Sequence, residues 1–246
     1  MTHRSSNDLP GQATLLASWR ALAALSPGAR TFRSSLAAGA VFPAWGALNN
    51  AIALNPAGPD GYDNCVAATT PRYARAGVQA WALWVPSLCT DFESPDAVLR
   101  VGALKRDTTT LVMQCALSRR FPPHRNVIRT SVAIAGRAGD EPVPEGQFNT
   151  LSGERGIAGW VMVQNGHAVA GAWSLVHRGD CGIYAVATVP EWRCRGIARA
   201  LVGHVLADAE RRGARTATLQ STPMGQRLYQ SLGFVPVGRY EEWVPD

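Results

Sequence analysis

The chain predicts an α/β fold, with helices and strands alternating from end to end. Three observations predict it. Ile197, Leu201, Val205 and Ala209 recur every four residues, with Ala198, Val202 and Leu206 beside them, which marks Gly196 to Arg212 as a long amphipathic helix. Two apolar runs, Ile157–Val163 and His167–Val176, flank Gln164-Asn165-Gly166; Asn-Gly between such runs signals a hairpin, because both residues tolerate positive φ. Finally, the order helix, glycine, strand, proline, helix, glycine, strand occurs twice. Arg72–Gly77 followed by Gln79–Pro86 echoes Ala209–Gly213 followed by Thr216–Pro223, and Val98–Ala103 echoes the run Tyr229–Phe234.

The remaining elements follow from local signals. Ala13 to Leu25 reads as a helix stopped by Ser26-Pro27-Gly28. Val41–Trp45 and Ala47–Leu54 are strand candidates, and Tyr62 to Ala76 is helical in its C-terminal part, ending at Gly77. Val78–Val85 is an apolar strand closed by Pro86. Ser94 caps a helix through Arg100, with Pro95 at its first position. Thr108–Leu117 is a β-branched strand, and Ala135–Gly146 is a surface loop rich in Gly, Pro and charge. Cys181–Val189 is a strand ended by Pro190. Arg211 and Arg212 complement the C-terminal dipole of the long helix before Gly213. Thr216–Gln220, Met224–Leu232 and Phe234–Val244 then read as strand, short helix and strand.

Composition bounds the function. The chain has 246 residues, 46% hydrophobic and 17% charged, enough for a substantial core in one large or two modest domains. Five scattered cysteines without a C-x-x-C argue against a disulfide framework and a zinc site, and fit a reducing compartment. The net charge of +6 is carried by arginine, with Lys105 the single lysine, in a context that is not a Walker A loop. The polar N-terminus carries no signal core. The long uncharged run Ser34–Pro59 is broken by Pro43, Pro56 and three glycines, so a membrane span is not expected and the location reads as cytoplasmic. The sequence contains no G-x-S-x-G and no H-E-x-x-H.

The informative stretch is Val186 to Arg199. A strand ends at Pro190, an arginine-rich turn follows, and Gly196 and Ala198 open a helix. The first N–H groups of a helix have no internal partner and carry the positive end of its dipole, so they suit a phosphate or diphosphate. Gly196 permits close approach of an anion, and Arg193, Arg195 and Arg199 add positive charge.

Arg193-x-x-Gly196-x-Ala198 after a strand and proline resembles the R/Q-x-x-G-x-G/A signature of the GNAT superfamily of N-acetyltransferases. Leu228-Tyr229-Gln230-Ser231-Leu232-Gly233-Phe234 resembles the family's L-Y-x-x-L-G-F ending, and the resemblance covers about Asn149 to Val244. It implies a mixed, mostly antiparallel sheet flanked by helices, with acetyl-CoA as cosubstrate and no metal. The backbone of Val186, Ala187 and Thr188 would pair with the pantetheine arm like an added strand. The groups from Arg193 through Cys194, Arg195, Gly196, Ile197 and Ala198 to Arg199 would hold the diphosphate. Tyr229 matches the family's general acid, since a phenol with a reference pKa of about 10 stays protonated at neutral pH. Trp192 either packs or covers the adenine end.

The general base stays open among Asp180, Glu191, Glu154, His167, His177, Tyr184, water and the C-terminal carboxylate. The first half carries no match to the diphosphate signature, its nearest segment being Thr69–Val78. The expected organisation is therefore a degenerate GNAT-like or cap domain over residues 1–125 and a GNAT domain over 126–246. The implied reaction is acetyl transfer to a primary amine of a small molecule or peptide by direct attack; the alternative is a non-catalytic acyl-CoA-binding module. Nucleic acid and membrane are not expected partners, because the arginines cluster where the cosubstrate needs them. The protein would be a monomer or homodimer.

Overall fold

A computed structural model describes residues 8–56, 60–92, 100–118, 121–136 and 156–246. The helix predicted to open at Ser94 and most of the Ala135–Gly146 loop lie outside them. The described elements are α1 (Gln12–Ala23), β1 (Arg30–Arg33), β2 (Ala37–Val41), β3 (Asn50–Ala53), α2 (Gly61–Ala74), β4 (Ala82–Ser87), β5 (Lys105–Ala116), β6 (Val127–Thr130), α3 (Val132–Gly136), β7 (Ile157–Gln164), β8 (His167–His177), β9 (Asp180–Thr188), α4 (Ile197–Arg211), β10 (Thr216–Ser221), α5 (Pro223–Ser231) and β11 (Val235–Val244). Short 3-10 turns occupy Gly46–Leu48 and Pro190–Trp192.

All eleven strands form one mixed sheet in the order β1-β2-β3-β4-β11-β5-β10-β9-β8-β7-β6. Two pairings, β3 with β4 and β9 with β10, are parallel; the others are antiparallel. A helix connects each parallel pair, α2 for the first and α4 for the second, as a parallel connection requires. From β1 and from β7 inward the sheet reads alike: two antiparallel pairings, a parallel pair bridged by a helix, then a strand from the other half. β5 lies between β10 and β11, and β11 lies between β4 and β5. A boundary at 125/126 therefore divides the chain but not the sheet, because each half donates its last strand to the other.

Side chains alternate across the sheet, which separates its two faces. On one face Leu111, Met113, Cys115, Ala217 and Leu219 pack with Leu201, Val202, Val205 and Leu206 of α4, the stripe predicted from sequence. Val41, Leu83 and Val85 meet α2 on the same side through Cys65 and Tyr73. The opposite face carries α1 and α3, and its core joins Ala38, Ile52, Val112, Trp173 and Tyr240 from both halves around Leu15 and Trp19. Trp45 meets Trp173 edge-on at 5.7 Å, so the sheet curls around α1.

The second half follows the sequence reading closely. Asn165 and Gly166 make the hairpin turn with φ of 50° and 80°. The first half departs from it. The strands expected at Val41–Trp45 and Ala47–Leu54 are Ala37–Val41 and Asn50–Ala53, and β1 was not expected. Alanine- and glycine-rich β2 carries almost no β-branched signal, and it is a strand because burial on both faces decides. β4 starts later than expected and passes through Pro86, which is tolerated because pairing with β3 ends at Trp84.

A chain beginning at residue 126 lacks β5 and leaves β10 and β11 with open edges. It is expected to show no cooperative thermal transition by circular dichroism, whereas the full chain unfolds cooperatively; a cooperative transition for the short chain would refute the exchange.

Candidate active site

The site is built on the parting of β9 from β10. Only three residue pairs join them, Asp180 with Thr216, Cys181 with Ala217 and Gly182 with Thr218. β9 then runs on to Thr188, and its edge facing β10 has no partner strand among the described residues. The cause is local. Ala185 sits at φ 50°, and the register with β8 slips between Gly171/Ala187 and Trp173/Tyr184, so one extra residue bends β9 outward. At the closed end Asp180 accepts hydrogen bonds from Thr216 Oγ1 (2.8 Å) and Thr218 Oγ1 (2.7 Å), which pin the strands together.

At the open end the chain turns through Pro190–Trp192 into α4. Cys194 and Gly196 adopt left-handed φ of 58° and 75°. Gly196 is the N-cap, no side chain caps the helix, and a Cβ built on Gly196 would meet nothing within 4 Å. Among the described residues the N–H groups of Cys194 through Arg199 have no backbone acceptor; the first helical bond is Ala200 N–H to Gly196 O at 3.0 Å. Arg195 stacks over the Trp192 ring at 5.2 Å, and Arg193 Nε donates to Thr188 O at 3.0 Å, closing the end of β9. The Thr188 hydroxyl is buried without a partner. Val186, Trp192, Ile197, Ala200 and Leu228 present half-buried apolar surface against the core beneath.

Tyr229 stands on α5, which packs on β10 and α4. Its ring meets Phe234 edge-on at 5.9 Å and closes against Gly225. Burial pushes the phenol up to about 12, so it holds its proton throughout the physiological range. The fold places Val186–Thr188 on the unpaired edge of β9, Arg193–Arg199 at the start of α4, and Tyr229 on α5, which packs on β10 and α4.

The proton acceptors considered from sequence are dispersed. Asp180 is committed to the two threonines at the closed end. Tyr184 packs on the opposite face beside Ser18, with its phenol raised by desolvation. His177 is lowered by burial and by Arg178 and Arg20. His167 and Glu191 are exposed, and Glu154 lies outside the described residues. In the first half, the place corresponding to the turn before α4 is the segment before α2, not Thr69–Val78, which begins inside α2 and runs past its end. There a Cβ on Gly61 would fall 2.6 Å from the Pro56 carbonyl carbon, and Asp63 in the first turn binds Gly102 N–H (2.8 Å) and Arg100 (3.2 Å). Sequence reading missed Arg239 and Glu241, both fully buried and joined at 2.6 Å. Their signal was a pair of opposite charges two apart, hence on one face of a strand.

Comparison with known proteins agrees with this geometry. Residues 155–236 match the Acetyltransferase (GNAT) domain family. The [ribosomal protein bS18]-alanine N-acetyltransferase of Escherichia coli K12 is 33% identical over 104 residues, covering 41% of this chain and 70% of that protein. A GCN5-related N-acetyltransferase from Kribbella flavida superposes with a TM-score of 0.65 at 17% identity over 95% of both chains. One from Sphaerobacter thermophilus gives 0.55 at 19% identity over 87% of this chain and 75% of that one. The chain belongs to the GNAT superfamily and is an acyltransferase. Members of this family use acetyl-CoA as cosubstrate. Among the described residues no cluster of metal-ligating side chains occurs, and no helix is long and apolar enough to cross a membrane.

Replacing Asp180 by alanine strands two threonine hydroxyls at the closed end. The expected loss is about 1–3 kcal/mol in urea unfolding with little change in m-value; an unchanged midpoint would show that the pin is dispensable.

Proposed function

We propose that the protein transfers an acetyl group from acetyl-CoA to a primary amine of a peptide or small molecule, by direct attack of the amine. The observation that supports this best is the row of six N–H groups without backbone acceptors, Cys194 to Arg199, beside the unpaired edge of β9. These groups fit a diphosphate: they converge at a helix N-terminus, and no Cβ obstructs the approach at Gly196. Arg193, Arg195 and Arg199 add charge around it. Val186, Ala187 and Thr188 offer main-chain donors and acceptors to an extended amide-bearing arm. When bound, acetyl-CoA supplies an activated thioester.

The chain's own groups do the rest. A β9 N–H facing the gap stabilises negative charge developing on the carbonyl oxygen. Tyr229 Oη holds a proton at neutral pH and donates it, or a hydrogen bond, to the departing thiolate. Asp180 is committed at the closed end and Glu191 stands exposed on the outer turn; in this reading the amine loses its proton to water. Residues 126–246 are the acetyltransferase unit in this reading. Residues 1–125 are a second GNAT-like copy whose cradle is closed by Pro56, Gly61 and Asp63. The mirrored strand order supports that assignment. A cytoplasmic location goes with it. The bacterial relative named for alanine acetylation makes a peptide with N-terminal alanine a first acceptor to try.

The test is thiol release from acetyl-CoA with a panel of small amines and an alanine-initiated peptide. Tyr229→Phe is expected to lower kcat by about 100-fold with CoA affinity retained. Gly196→Glu is expected to abolish CoA binding in calorimetry, because its carboxylate enters the anion cup. Full CoA affinity in the Gly196→Glu variant would sink the reading.

A further inference from the structure

The mechanism leaves Arg239 and Glu241 unused, although burying an ion pair is expensive unless its geometry is well satisfied. Both residues are 0% exposed, and Arg239 Nη2 donates to Glu241 Oε1 at 2.6 Å. Arg239 also donates through Nη1 to the Asp91 carbonyl at 2.8 Å. Asp91 belongs to the segment that leaves β4 after Ser87. Its neighbour Phe92 packs on the core that β5 shares with α4 and Tyr229.

Register places this clamp next to the catalytic helix. Ser87, Arg239, Leu111 and Ser221 lie in one row across β4, β11, β5 and β10. Arg239 points to the same face as its partner Leu111, which belongs to the α4/α5 core. At about 4.8 Å per strand, the clamp lies about 10 Å from Ser221, the last residue of β10 before α5. The same strand β11 that carries Arg239 follows directly from Phe234, whose ring abuts Tyr229 and whose N–H bonds the Tyr229 carbonyl at 3.0 Å.

We propose that Arg239 is a positioning residue for Tyr229: with Glu241 it fastens Asp91 and Phe92 of the first half against the core beneath α5 and so fixes where the phenol stands. The first half thereby takes part in catalysis although its own cradle is closed. The proposal rests on Tyr229 acting as the proton donor.

The experiment is a double-mutant cycle with the best amine of the panel. Arg239→Met is expected to lower kcat about tenfold in the wild-type background, with CoA affinity within about twofold, since the diphosphate cup is remote from the clamp. In the Tyr229→Phe background the same change is expected to cost less than about twofold, because the group it positions is gone. Equal losses in both backgrounds, or no loss in either, overturn the proposal. Phe92→Ala keeps the ion pair and is expected to reproduce the cycle if Arg239→Met does not fold. Hydrogen exchange supplies a reading independent of turnover: amides of 223–231 are expected to exchange faster in Arg239→Met, with 200–211 unchanged, and uniform acceleration or none overturns the proposal. If Tyr229→Phe alone leaves kcat intact, the proton-donor reading fails, and exchange at α5 still decides whether the clamp positions it.

Discussion

The architecture depends on two parallel strands that separate after three residue pairs. A parallel pair inside a sheet ordinarily continues until one strand ends. Here the bulge at Ala185 turns β9 away while β10 stays with β5. The opening would propagate into the core if nothing held its apex, and Asp180 does so by binding both Thr216 and Thr218. Apex and mouth are thus set by different residues. The mouth is free to present backbone groups because the apex is closed.

What the opening exposes would be costly elsewhere. Buried main-chain donors are nearly always paired. The six N–H groups from Cys194 to Arg199 escape that demand because they face outward on an exposed turn with left-handed residues at Cys194 and Gly196. At the matching place in the first half Asp63 puts a negative charge in the first turn of α2 and binds Gly102 N–H and Arg100, whereas the first turn of α4 carries no acidic residue.

Most of the second half was legible because its signals are local. Asn165-Gly166 dictates a turn, the four-residue spacing through Ile197 and Leu201 dictates a helix face, and Gly196 and Gly213 bracket that helix. Strand β2 was misplaced because Ala37–Val41 has no side-chain pattern of its own; its identity comes from neighbours on both sides. The strand exchange was not legible at all. Nothing local in Lys105–Ala116 says that it will lie between β10 and β11, since that pairing is fixed by residues far along the chain. The glycine-opened turn before α4 has a local signal, but the hydrogen bond of Arg239 has none, because the carbonyl it holds is 148 residues distant.

The exchange also binds the first half to the second. If β5 had stayed with its own half, the two units could separate. Instead β5 pairs with both β10 and β11, α1 packs on strands of both halves, and the Asp91–Phe92 segment crosses the seam. Removing the first half would therefore remove the middle of the second half's sheet. A buried ion pair adds little stability over an apolar replacement, but it discriminates strongly against displacement, because a shifted Arg239 leaves Glu241 charged and buried. Arg239 and Glu241 both belong to β11, so the tie between the halves is the guanidinium's second hydrogen bond, to the Asp91 carbonyl; losing it would leave a buried donor unpaired.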